Sequence, residues 1–88
     1  MSVIKILIAD NHAMIRDGVR YLLQDERDMD LIGEAVDGQE ALEKISELNP
    51  EVAIIDVNMP KLNGLAVISR LKEDGHLVRT FSETSISQ

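Results

Sequence analysis

The stretch from Glu51 to Gly64, EVAIIDVNMPKLNG, constrains the fold more than any other in the chain. Its apolar run, Val52-Ala53-Ile54-Ile55, is too short for a helix standing alone and is bounded by polar residues. That pattern predicts a strand buried on both faces, as in the middle of a parallel sheet. The run stops at a carboxylate, Asp56, and the following Asn58, Met59, Pro60, Asn63 and Gly64 cannot continue a strand. Asp56 is therefore expected where a buried strand meets a loop, at the carboxyl edge of the sheet, where open α/β sheets bind their ligands.

A second run of the same kind, Val3-Ile4-Lys5-Ile6-Leu7-Ile8-Ala9, ends in Asp10-Asn11-His12 and reads as another central strand. From Ala13 to Gln24 the period turns helical, with Ile15, Val19, Leu22 and Leu23 on one face. Asn11 or His12 stands at the N-cap position, Asn being the better capper. Met29 to Val36 mixes Leu31, Ile32, Ala35 and Val36 with polar residues, as an edge strand does. Asp37 with Glu40 forms a variant capping box. It opens a helix through Ala41, Leu42, Ile45 and Leu48 that Asn49-Pro50 stops. Asn63 caps a third helix with Leu65, Ile68 and Leu71 as its inner stripe, and Gly75 is the expected stop. Strand and helix alternate throughout. The expectation is a doubly wound α/β fold with a parallel sheet, right-handed crossovers and the second strand outside the first.

Within 88 residues there is room for one domain. The net charge of −7 and the scattered basic residues argue against direct nucleic-acid binding. With no cysteine, disulfides and thiol chemistry are excluded. No stretch approaches the roughly 20 apolar residues of a membrane span, and the first apolar run is too short for a signal peptide. A cytoplasmic location is expected.

If the strands ending in Asp10 and Asp56 are neighbours, their ends lie roughly 5 Å apart and both acids enter one crevice. Two carboxylates that close repel, so a cation should join them. A donor set of oxygens without His or Cys favours Mg²⁺ or a similar hard ion. Mg²⁺ between carboxylates and a phosphoryl group suggests phosphoryl transfer, with Asp56 itself able to act as nucleophile. Taken singly, Asp56 reads as a turn residue and Asp10 as a helix cap; only as a pair do they make a site. Asn11 reads equally as cap or ligand. His12, near the acids, reads by default as a solvated loop residue, and so does Lys61. His76 has no evident partner.

Asp10 and Asp56 after apolar strands, followed by Met59-Pro60 and Gly64, resemble the receiver domain of two-component response regulators. Ile15-Arg16-Asp17-Gly18-Val19, Gly33-Glu34-Ala35 and Asp37-Gly38 are similar to the receivers of LuxR/NarL-type regulators, and the resemblance runs from Val3 to about Gly75. It implies a flavodoxin-like fold with strand order 2-1-3-4. It implies a phosphoryl group accepted on Asp56 from a histidine kinase. It also implies Mg²⁺ held by Asp10, Asn11, Asp56 and the backbone carbonyl of Asn58. The domain itself is then a phosphoacceptor rather than an enzyme. Where the family carries a second acid, this chain has Asn11, so weaker Mg²⁺ binding is expected; equal affinities in the wild type and an Asn11→Asp variant would refute this.

Residues 1–76 read as a partial receiver and 77–88 as an atypical tail able to form a fourth strand. By its distance from Asp56, the family's switch hydroxyl maps onto Thr84. The family's fifth strand with its lysine, and its last two helices, have no counterpart in the sequence. Apolar surface left uncovered predicts a homo-oligomer, by exchange of the C-terminal segment, or an ill-ordered tail. Two other functions compete: a truncated receiver serving only as an interaction or dimerisation module, and an aspartate-nucleophile phosphatase. The second is disfavoured because Asn58 stands where such enzymes need an acid.

Overall fold

The computed structural model describes residues 3–75 and the backbone of residues 79–83. Strands and helices alternate: β1 (Ile4–Ala9), α1 (Ala13–Leu23), β2 (Met29–Ala35), α2 (Gly38–Leu48), β3 (Val52–Asp56), α3 (Gly64–Glu73) and β4 (Arg79–Glu83). All pairings are parallel, and the sheet order is β2-β1-β3-β4. This is the doubly wound order expected from the two apolar runs. They are neighbours, and the half-polar β2 lies at the edge.

The period of two in each strand divides the side chains between the two faces of the sheet. Leu7 and Ala9 of β1 and Ala53 and Ile55 of β3 pack with Ala35, Ala41, Ile45, Val67 and Leu71 in a single buried cluster under α2 and α3. Ile4, Ile6, Val52 and Ile54 point the other way, toward Val19, Leu22 and Leu23 of α1. That second face is only partly covered. No residue of α1 is buried, Leu22 is 71 % exposed, and an apolar cavity of about 430 Å³ lies between α1 and the sheet.

The helix ends follow the local chemistry. Asp37 Oδ1 accepts from the Glu40 amide at 2.8 Å, while Glu40 Oε1 accepts from the Val36 amide at 2.8 Å. The box therefore closes one residue before its usual position. Asn63 Oδ1 accepts from the Ala66 amide at 2.9 Å and caps α3. Asn49 ends α2 in the left-handed region at φ 51°, just before Pro50, and Gly75 follows α3 at φ 74°. One stripe differs from expectation. In α3 the inward positions are Gly64, Val67 and Leu71, with Ile68 packed at the side, while Leu65 is exposed. The close seat of Gly64 sets this rotation: a Cβ there would strike the Asp56 carbonyl and the Val57 backbone, so Gly64 faces β3 and Leu65 turns away.

Candidate functional site

The register of the central strands places the two acids. Ala9 is level with Ile55, so Asp10 and Asp56 each follow one residue beyond a matched pair, at the carboxyl edge. Both are almost fully buried, 2 % and 3 % exposed. Each uses one carboxylate oxygen to shape its own loop. Asp10 Oδ1 accepts from the His12 amide at 2.9 Å, and Asp56 Oδ1 accepts from the Asn58 amide at 3.1 Å. These are the same two-residue aspartate turn, made twice. Neither Oδ2 accepts a hydrogen bond from the described residues. Two buried carboxylates in one crevice, each with an oxygen that the described residues leave without a donor, make a place suited to a cation. Both are hard oxygen donors, and together they carry the charge that a divalent ion would neutralise. The residues present therefore fit a hard divalent ion.

His12 takes the N-cap position of α1, one of the two residues expected there, and makes no side-chain capping bond. Its side chain is 58 % exposed, yet the ring turns to the acids. Nδ1 lies 2.6 Å from Asp10 Oδ1 and 3.8 Å from Asp56 Oδ2. One donor atom from each of Asp10, His12 and Asp56 falls within 4.8 Å of the other two. A ring nitrogen thus lies beside the two carboxylates. The signal was the spacing: an aspartate turn brings the residue two places on back over the carboxylate. The N-cap position falls to His12 and not to the better capper Asn11, because the Asp10 turn directs the chain into the helix at His12.

The other candidates are placed as follows. Asn11 is exposed, and its side chain makes no hydrogen bond with the described residues. Asn58 is tied to Asp56 through its amide, and its carbonyl accepts no bond from the described residues. Thr84 lies outside the described residues, as does His76. Met59 is 7 % exposed and belongs to the core cluster, anchoring the loop. Lys61, at φ 68°, extends into solvent with its Nζ 3.6 Å from Asp37 Oδ2. Arg16 donates from NH1 to the Asp10 carbonyl at 2.7 Å and approaches Glu34 at 3.5 Å. Arg20 grips the same Glu34 with two bonds of 2.8 Å. That contact first, and then Asp17, raises the pKa of Arg20 above its usual value.

The profile of the response regulator receiver domain family matches residues 6–86. The chain belongs to that family. Among curated relatives, this receiver is 38 % identical over 84 residues to a protein-glutamate methylesterase/protein-glutamine glutaminase of Methanospirillum hungatei, covering 96 % of the chain and 25 % of that protein. It is 38 % identical over 68 residues to the nitrate/nitrite response regulator NarL of Escherichia coli, covering 77 % of the chain and 32 % of that protein. The chain thus spans about a quarter to a third of the length of these relatives. Among solved structures, the receiver domain of a NarL response regulator from Mycobacterium tuberculosis superposes with a TM-score of 0.93 at 27 % identity, covering all of this chain and 71 % of that one. The receiver domain of Thermotoga maritima CheB gives 0.89 at 32 % identity, covering 98 % of this chain and 63 % of that one. The flavodoxin-like receiver fold and a place in two-component signalling follow. Among the described residues, no helix is long and apolar enough to cross a membrane.

Proposed function

We propose that this receiver accepts a phosphoryl group on Asp56 from a histidine kinase in the cytoplasm. The observation that carries the reading is the pair of buried strand-end carboxylates, Asp10 and Asp56, facing one crevice, each with an oxygen that accepts no hydrogen bond from the described residues. One carboxylate oxygen of Asp56 attacks the phosphorus of the donor phosphohistidine. A P–O bond forms as the P–N bond breaks, and the electron pair returns to the imidazole nitrogen. Asp10, Asp56, Asn11 and the Asn58 carbonyl are the groups that would hold Mg²⁺. When bound, the ion neutralises charge on the phosphoryl oxygens and keeps the group in line. The turn from Asp56 Oδ1 to the Asn58 amide fixes the carboxylate plane before the donor arrives. Thr84 is the candidate hydroxyl for the phosphoryl group, within a tail boundary set at residue 77.

The methylesterase relative supports no hydrolase role for this stretch, because it is matched over only 25 % of its length and the receiver profile matches the same part of this chain. The test is incubation with acetyl phosphate and Mg²⁺, read by intact mass. One phosphoryl increment is expected, absent in Asp56→Asn and absent without a divalent cation. No increment, or an increment that survives in Asp56→Asn, would overturn the assignment.

A second reading rests on the cavity beneath α1. Its lining is apolar throughout, and the neighbouring Tyr21 and Leu22 are both 71 % exposed. A second copy of the chain covering this face would remove that surface from water. Light scattering should then show a dimer that Leu22→Glu dissociates; a monomer at high concentration would refute it.

A further inference from the structure

The crevice between the acids presents a nitrogen to any ion that enters it. His12 Nδ1 stands 2.6 Å from Asp10 Oδ1 and 3.8 Å from Asp56 Oδ2. On an ion with bonds of about 2.1 Å, neighbouring ligands in an octahedron lie about 3 Å apart and opposite ones about 4.2 Å. The 3.8 Å separation falls inside that range and the 2.6 Å one falls short of it, so the ring would draw back slightly from Asp10 to admit an ion. The backbone holds the ring in place, since the His12 amide is bound to the same Asp10 carboxylate at 2.9 Å. Independently, Asp10 and Asp56 are buried, and each has an oxygen that takes no hydrogen bond from the described residues. The His12 side chain is 58 % exposed, so an ion can reach it from solvent.

We infer that His12 is a protein ligand, through Nδ1, of the cation that this site holds, and that it extends the site's preference from magnesium to borderline divalent ions such as manganese, cobalt and zinc. The inference rests on the cation site proposed above. The ring would bind the ion through Nδ1 as the neutral tautomer that carries its proton on Nε2. The two carboxylates supply two negative charges against the two positive charges of the ion. Imidazole favours manganese only weakly and cobalt or zinc strongly, whereas magnesium keeps its waters and binds through the carboxylates. His12 therefore separates the two classes of ion in a way that Asp10 and Asp56 do not.

The experiment is pulsed electron paramagnetic resonance of Mn²⁺ bound to the full chain, with titrations of Mg²⁺ and Co²⁺ by calorimetry. Expected are nitrogen-14 couplings of a directly bound imidazole in the wild type. They should be absent in His12→Ala and retained in His76→Ala, the variant of the chain's other histidine. Co²⁺ affinity should fall about 10-fold or more in His12→Ala, with Mg²⁺ affinity changed less than twofold. Bound Mn²⁺ without nitrogen coupling, or a His12→Ala variant with unchanged Co²⁺ affinity, overturns the role of His12 and leaves the carboxylate site standing. No bound Mn²⁺ in the wild type overturns both. Circular dichroism of His12→Ala checks that the fold is kept.

Discussion

Replacing Asp56 by Asn should stabilise the receiver when no divalent cation is present. Oxygens of Asp10 and Asp56 lie within 4.8 Å of each other. Two unit charges at that separation, in an effective dielectric of 20, repel by about 3.5 kcal/mol. The imidazole of His12, 2.6 Å from Asp10, offsets part of this. The amide of Asn keeps the Oδ1 acceptor that the Asn58 backbone needs, so the loop turn survives the change. The net gain expected is about 1–3 kcal/mol, which for a domain of this size raises Tm by about 4–8 °C per kcal/mol. A saturating divalent cation should reverse the ranking. The wild type then gains the binding energy, about 2.7 kcal/mol at a hundred times the dissociation constant, and Asp56→Asn loses most of it. The assay is a pair of urea titrations at neutral pH, one in chelator and one in excess Mg²⁺. Should Asp56→Asn be the less stable protein in chelator, or should Mg²⁺ stabilise both alike, the acids are not held in electrostatic conflict and the cation site is wrong.

Gly64→Ala should lower stability by about 1–3 kcal/mol or more in denaturant titration, because its Cβ meets the Asp56 and Val57 backbone. Gly18→Ala, mid-helix with open space around it, should raise stability by about 0.5–1 kcal/mol. Asp37→Ala removes the cap of α2 and should cost about 1 kcal/mol; an unchanged urea midpoint would contradict it. Arg16→Met keeps the apolar stem but leaves the Asp10 carbonyl without its donor. It should cost about 1–3 kcal/mol, and more than Arg20→Met, whose partners are reached by water.

Much of this fold is legible in the sequence because its strongest signals are local. Two uninterrupted apolar runs give the central strands, and Asp37, Asn49, Asn63 and Gly75 mark helix ends through their own side chains or their tolerance of positive φ. The pairing of Asp10 with Asp56 is legible for the same reason, since two neighbouring strands that each stop at an acid bring both acids to one edge. The inner stripe of α3 is not, because Leu65 is as apolar as Val67. Only the tight seat of Gly64 on the Asp56 carbonyl turns Leu65 outward. Nor is the half-covered α1 face: its apolar residues read as a core stripe, yet the period cannot say how much surface the sheet offers in return. His12 escaped for a different reason. Its ring reaches the acids only because Asp10 folds the chain back by two residues.

The same local turn explains both the order and the openness of the site. At each strand end one carboxylate oxygen is spent on the backbone two residues later, which fixes loop direction and carboxylate plane together. The second oxygen is then held in a buried place with no donor from the described residues. The fold therefore builds its unmet acceptors by the act of closing its loops, and a substitution that spared one would disturb the other. Arg16 extends this coupling, because its bond to the Asp10 carbonyl and its approach to Glu34 tie the start of α1 to the ends of β1 and β2. On the proposed function, an ion or phosphoryl group arriving at the second oxygens would meet groups whose positions are already set by backbone geometry. Binding energy is then not consumed in ordering them.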